Sequence, residues 1–325
     1  MKVIITAACV AATALMHAPA GAQSAAGSYP SRPVTIVIPV AAGGPTDTEL
    51  RLYAKKLNES LGQSFLLDNK PGAGSVIGTQ FVARSPADGY TLLVIAGNFT
   101  VIPATNKDLP FDTLKDFAPI SLMSEQPKIL VVTPGFPAKT FAEYVAFAKA
   151  NPGKISLGTS GQGGVNHLMN VWMHTLTGTT ATNIPYKGSA PMLVDLLGGR
   201  LNGAAIPIGD AMRHSKAGKL RALGTTAANR TKLWPELPTI KEQGLPLFSY
   251  TSWVGIGAPA GTPQPVINKL SDHFAKAAKA PDIAAALEPD GWVMVGSTPA
   301  QFRQLIVTET ERWKKVVEEN GIVAE

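Results

Sequence analysis

Two short glycine-rich turns, Ala41-Ala42-Gly43-Gly44-Pro45-Thr46-Asp47 and Gly158-Thr159-Ser160-Gly161-Gln162-Gly163-Gly164, each join a strand-like run to a helix-like run. No other feature constrains the fold as strongly. A strand that passes through such a turn into a helix leaves the first N–H groups of that helix without intrahelical partners, and the helix dipole favours negative charge there. The natural guest is a carboxylate, and two such turns predict the two halves of one anion clamp.

The runs around these turns alternate regularly. Val34 to Val40 is almost continuous in β-branched residues and reads as a buried strand, after which Leu50, Tyr53, Ala54, Leu57 and Leu61 recur at helical spacing up to Gly62. Strands follow at Phe65 to Leu67 and Tyr90 to Ala96, with a helix from Val76 to Arg84 between them. This βαβαβ order predicts a mixed, mostly parallel sheet flanked by helices. The alternation then restarts at Ile129 and runs to Thr225, with a further strand at Thr251 to Gly257 and two amphipathic helices, Pro263 to Ala278 and Pro299 to Asn320. The pattern implies two α/β lobes. Residues 29–125 and 248–325 are expected to form the first, discontinuous lobe and 126–247 the second. Two crossings between lobes, near Leu122–Pro127 and Gly244–Tyr250, make a hinge and a cleft.

The first residues bear on compartment. Lys2, an apolar stretch from Val3 to Met16 and Ala20-Gly21-Ala22 before Gln23 match a secretory signal peptide over residues 1–22, which predicts export to the periplasm and a mature start at Gln23. The single cysteine, Cys9, falls inside that segment. Disulfides, thiolate nucleophiles and thiolate metal sites are therefore not expected in the mature chain. Of 29 Lys and Arg against 23 Asp and Glu, setting Lys2 aside leaves a surplus of five, spread along the chain without interleaved aromatics. A nucleic-acid partner is not expected, although a mildly positive field would concentrate small anions.

The candidate ligand-binding residues come from the turns and the strand ends. The first turn offers the amides of Ala42, Gly43 and Gly44, the Thr46 hydroxyl and Asp47, which reads as a helix cap more readily than as a catalytic acid. Two successive glycines let the backbone approach a ligand that a Cβ would block. The second turn offers Ser160, Gly161, Gly163, Gly164, Asn166 and His167. Asn98 follows directly on a parallel strand, where open α/β sheets place their ligands. Asp195 is positioned to receive an ammonium or simply to solubilise a helix. Gln162 stands where a nucleophile elbow needs glycine, and neither glycine cluster completes a dinucleotide fingerprint, so no cofactor is expected. His167 and His174 are two helical turns apart and cannot share a metal as an i,i+4 pair does.

Assembled in order, these segments resemble the Bug family of periplasmic solute receptors, which serve tripartite tricarboxylate transporters. The resemblance rests on the opening Tyr29 to Pro39, the first glycine turn, Asn69-Lys70-Pro71-Gly72-Ala73-Gly74, Pro86-Ala87-Asp88-Gly89-Tyr90, Gly158 to Leu168, Pro185-Tyr186-Lys187-Gly188 and Asp195-Leu196-Leu197-Gly198-Gly199. It continues through Ala217 to Leu223 and Ala258 to Pro263. It implies a two-lobed periplasmic-binding-protein fold of the Venus-flytrap type, a monomer that holds a small organic carboxylate between its lobes, and integral membrane transporter subunits as partners. Catalysis is not implied. The chain departs from the family in carrying Val171 and Ala205 to Ile208 where relatives often have acids; with Ala41 and Phe99 near the cleft, this points to an aromatic or aliphatic acid less polar than citrate.

About four charge-assisted hydrogen bonds around one carboxylate would supply on the order of 8 kcal/mol, comparable with a micromolar constant. Two other readings stay open at this point: a sensory carboxylate receptor without a transport role, and an exported hydrolase using Ser160 and His167.

Overall fold

The computed structural model of the chain describes residues 28–322, so the leader-like segment and Cys9 lie outside the described residues. The first stretch runs β1 (Val34–Ile38), α1 (Pro45–Leu61), β2 (Phe65–Asn69), α2 (Val76–Ala83), β3 (Thr91–Ala96), α3 (Gly97–Thr105) and β4 (Phe117–Val132). The second runs α4 (Phe141–Ala150), β5 (Ser156–Thr159), α5 (Val165–Thr177), β6 (Thr182–Pro185), α6 (Ser189–Leu197), β7 (Gly203–Pro207), α7 (Ile208–Lys216) and β8 (Arg221–Thr225). The chain then returns through β9 (Thr251–Pro259), α8 (Gln264–Ala278), α9 (Pro281–Leu287), β10 (Val293–Met294) and α10 (Pro299–Glu319).

One strand joins two sheets. The pairing path is β2-β1-β3-β9-β4-β7-β5-β6, with β8 and β10 also on β4. β4 pairs antiparallel with β9 from Phe117 to Pro127, and from Lys128 onward it pairs with β7 and β8 instead. The change of partner falls at one peptide. Each side holds a parallel trio, β2-β1-β3 in one lobe and β6-β5-β7 in the other. In each trio the carboxyl ends emerge on one edge, so the segments after β1, β2 and β3 lie side by side.

The elements form for local reasons. β1 buries Val34, Ile36, Val37 and Ile38 completely, as its β-branched run requires between two layers of helices. α1 turns Leu50, Tyr53, Ala54 and Leu57 into the same core and stops at Gly62, whose φ of 68° suits glycine. α10 starts with a capping box between Thr298 and Gln301. Its Phe302 and Ile306 pack with Trp253 and Phe99 of the first lobe, whereas Trp313, Val316 and Val317 pack with Leu168, Met169 and Met173 of the second. This helix is shared between the lobes, although its sequence position places it with the first.

Two elements were not expected. Asn98 does follow directly on β3, but it stands on the first turn of α3, a helix masked in the sequence by Gly97, β-branched residues and Pro103. The segment expected as the first crossing between lobes, Leu122–Pro127, lies within the 16-residue β4. Pro119 disguises that strand, and the sheet tolerates it because only β9 pairs β4 at that point.

Candidate functional site

The two glycine turns share one backbone construction. Gly43 and Gly163 take positive φ values of 83° and 65°, a region that an L side chain enters only with strain. The following glycines are extended N-caps, Gly44 at φ −82° and ψ 172° and Gly164 at φ −78° and ψ 171°. In each case the positive-φ glycine donates its N–H to the side chain four residues on. Gly43 donates to Asp47 Oδ2 at 3.1 Å, and Gly163 to His167 Nδ1 at 3.1 Å.

Only the chemistry of that fourth residue differs. Asp47 is buried and also accepts from Arg51 Nε at 3.0 Å. Burial works to raise its pKa, but the Gly43 N–H and the Arg51 guanidinium outweigh it and hold the carboxyl below the usual range. The first helix N-terminus thus carries its own anion. His167 supplies no such charge: burial lowers its pKa, and because Nδ1 accepts, the ring proton sits on Nε2 as a free donor.

A cavity of about 460 Å³ opens beside the second turn. Ser160, Gly161, Gly163, Gly164, Val165 and His167 form one wall, and Asn98, Val101, Ile102, Thr105 and Asn106 of α3 and its end form the other. Gln162 of the second turn, Ala73 and Gly74 after β2, and Ile322 complete the lining. The wall across from the glycines is mixed, with the aliphatic Val101 and Ile102 between Asn98 at one end and Thr105 and Asn106 at the other. A carboxylate placed against the second turn would meet the N-terminus of α5 and the His167 imidazole, beside the Gly163 and Val165 N–H groups already donated to His167 Nδ1 and Asn98 Oδ1, while its carbon skeleton faced Val101, Ile102 and Val165.

Asn98 spans the two walls. Its Oδ1 accepts the N–H of Val165, the first residue of α5, at 3.1 Å, which makes a first-lobe side chain the cap of a second-lobe helix. The approach is close throughout, since a Cβ on Gly97 would lie 2.9 Å from Tyr250 Oη and 3.3 Å from Val165 Cγ1.

Ser160 is not activated. Its Oγ accepts from Asn166 Nδ2 at 2.8 Å, an amide that cannot take a proton, and the acceptor nitrogen of His167 is already used by Gly163. Asn166 does not line the cavity, but its buried Oδ1 has no hydrogen-bond partner, so it remains an acceptor beside the turn. His174 is a packing residue: its Nε2 lies 3.1 Å from Tyr144 Oη and its Nδ1 2.7 Å from Thr179 Oγ1. Among the described residues no cluster of three His, Cys, Asp or Glu side chains is placed to hold a metal ion.

The structure does not gather every candidate. Ala42, Gly43, Gly44, Thr46 and Asp47 do not line the cavity; Ala42 and Gly43 are exposed on the strand-end edge, between the lining segments that follow β2 and β3. Asp195 is committed elsewhere, to Tyr186 Oη at 2.8 Å and Arg200 Nη1 at 2.5 Å, and does not reach it. Nor do the positions behind the expected apolar wall. Val171 packs on the second-lobe core and Ile206 is wholly buried, while Phe99 is in the first-lobe core. The aliphatic side chains opposite the second turn are Val101 and Ile102 of α3 instead. Val101, Ile102, Asn106 and Ile322 were not foreseen, and no sequence signal joins them.

Comparison with known proteins places this geometry. The model of the tripartite tricarboxylate transporter family receptor matches residues 50–322. The chain belongs to that family. It is 35% identical to Protein BugT of Bordetella pertussis over 316 residues, 95% of this chain and 94% of the relative. Among solved structures it is similar to Rhodopseudomonas palustris MatC with bound malate, at 31% identity and TM-score 0.78, covering 89% of this chain and 100% of that one. It is also similar to R. palustris Rpa4515 with adipate, at 34% identity and TM-score 0.80, covering 91% and 99%. The family is a class of receptors, and the fold is the two-lobed architecture of periplasmic binding proteins.

Proposed function

We propose that the chain is a periplasmic solute-binding protein that captures a small organic carboxylate between its lobes and delivers it to integral membrane transporter subunits. The observation that carries this reading is the cavity at the N-terminus of α5, where the glycine turn and a neutral His167 stand opposite Val101, Ile102 and the amides of Asn98 and Asn106. The carboxylate seat consists of Gly161, Gly164 and His167, with Gly163 orienting the imidazole through its N–H and Ser160 and Asn166 shaping the turn from behind. The first turn is the facing half. Ala42, Gly43, Gly44 and Thr46 lie on the same strand-end edge as Ala73 and Asn98, so a small rotation about β4 at 126–128 and about 248–250 brings them onto a guest. The lobes of the proposal are 29–125 with 248–325, and 126–247, bridged by α10.

Relatives with adipate and malate support small aliphatic diacids as the guest class. Export rests on residues 1–22. The unactivated Ser160 disfavours the hydrolase reading, and the same lobe closure would serve a sensor.

A thermal-shift panel of aliphatic diacids, hydroxy diacids, aromatic acids, citrate and amino acids tests the function. Aliphatic or aromatic acids are expected above citrate, because the hydroxyl and third carboxylate of citrate would be left unpaired against Val101 and Ile102, at about 1–3 kcal/mol each. A panel in which no carboxylate shifts the melting temperature contradicts the receptor reading. Native mass spectrometry of unrefolded protein would identify a retained guest.

A further inference from the structure

Beside the cavity a first-lobe side chain is hydrogen-bonded to the second lobe, Asn98 Oδ1 accepting from the Val165 N–H at 3.1 Å. An asparagine has two faces. The carbonyl is spent on the second lobe, while the amide Nδ2 has no hydrogen-bond partner among the described residues, and the residue lines the cavity. Nδ2 lies 4.0 Å from the position a Cβ on Gly164 would take, beside the glycine amides of the second turn.

We propose that Asn98 is a positioning residue that couples guest capture to lobe closure, its Oδ1 holding the Val165 N–H of the opposite lobe while its Nδ2 donates to the bound carboxylate. This rests on the receptor reading above and adds to it the device that reports occupancy across the cleft. The carbonyl takes the place at the α5 terminus that an anion would otherwise occupy, so the contact draws the two lobes together independently of the guest. A carboxylate arriving at the neighbouring amides then fixes the rotamer that makes the latch. Each contact pre-orders the other, which is positive coupling between binding and closure.

The first turn supplies the control. Pro45 stands where Val165 stands in the second turn, after a glycine of nearly identical conformation, so that helix has no N–H at the matching position. Gly164, at φ −78° and ψ 171°, already has the extended geometry that a following proline requires. Val165→Pro therefore deletes the latch donor and leaves α5 able to form.

The test uses a Lys55→Cys/Lys149→Cys pair in a Cys9→Ser background, which removes the only native cysteine and labels one exposed site on α1 and one on α4. Double electron–electron resonance reads the interlobe distance without ligand, calorimetry reads adipate affinity, and far-ultraviolet dichroism checks the fold. Asn98→Ala and Val165→Pro should both lengthen and broaden the ligand-free distance. Asn98→Asp should keep the wild-type distance, since Oδ1 remains an acceptor, yet weaken adipate by roughly tenfold or more through loss of the donor and gain of a like charge. A purely structural asparagine would not separate the two readouts. Wild-type distances in both Asn98→Ala and Val165→Pro would overturn the latch, and unchanged adipate affinity in Asn98→Asp would overturn the donor contact. If wild-type protein binds no adipate, the receptor reading fails for that acid, and the ligand-free distances still decide the latch.

Discussion

The two glycine turns have one backbone and two chemistries. Both put a glycine at positive φ whose N–H donates to a side chain four residues on, and both cap the helix with the extended glycine that follows. In the first turn the side chain is Asp47, an anion neutralised by Arg51. In the second it is His167, neutral and with Nε2–H to offer. A helix N-terminus that already holds a carboxylate has little left to attract another, whereas one capped by an imidazole keeps its field for a guest. The cavity lies at the second turn. Shared geometry does not make shared chemistry; on the proposal above, the fourth residue decides which turn is the seat and which the facing half.

Substitution at the paired glycines should give the largest separation. Gly163→Val places a side chain at φ 65° against the seat and should abolish carboxylate binding. Gly43→Val imposes similar strain, at φ 83°, but outside the cavity, and should weaken binding only about tenfold. Calorimetry on both variants, with dichroism to establish folding, checks the order. The reverse ranking would make the first turn the seat. Exchanging the fourth residue comes next: His167→Asp gives the second turn the anion of the first and should cost roughly a hundredfold in affinity for a diacid.

Stability against pH separates the lobes in a different way. Glu49 of α1 is wholly buried with Ser124 Oγ donating to Oε1 at 2.5 Å and Oε2 unpartnered, and burial pushes its carboxyl up from 4.5 to about 8. The folded lobe keeps the proton that the unfolded chain gives up, so this contribution is full below pH 4.5 and is lost as pH rises through 8. His174 in the second lobe is held down by burial from 6.5 to about 4. There the unfolded chain takes the proton first, so stability is full above pH 6.5 and falls as pH drops towards 4. Each swing is on the order of a few kcal/mol. Glu49→Gln should flatten the alkaline limb of a melting-temperature profile while leaving the acid limb; a profile unchanged by the substitution would mean that Glu49 is ionised in the folded state.

The smallest effect is expected at the first-turn cap. Asp47→Asn keeps an acceptor for Gly43 but loses the charge, and should destabilise by about 0.5–1 kcal/mol with affinity altered less than about threefold. A large affinity change would place Asp47 on the guest.

The sequence made the turns and strands legible because both are local. Glycine pairs, β-branched runs and helical periodicity are written within a dozen residues. α3 escaped because Gly97, Thr100, Val101 and Pro103 all lower helix propensity, and its packing against α10 overrides them. The first half of β4 escaped because an edge-tolerated Pro119 reads as a strand breaker. In the site, the second turn was legible and its opposite wall was not. Val101 and Ile102 meet that turn because α3 packs directly on α5, Ile322 because it follows α10, and Asp195 is drawn off by Tyr186 and Arg200, all contacts that only the fold makes.

The most direct test of the central claim is an amide NMR titration with the tightest-binding acid of the thermal-shift panel. The account predicts saturable shifts at the Gly161, Gly163 and Gly164 N–H groups and at His167 Nε2, larger than any at Ala42, Gly43 or Gly44. Shifts confined to the first turn, with the second silent at saturation, would contradict it.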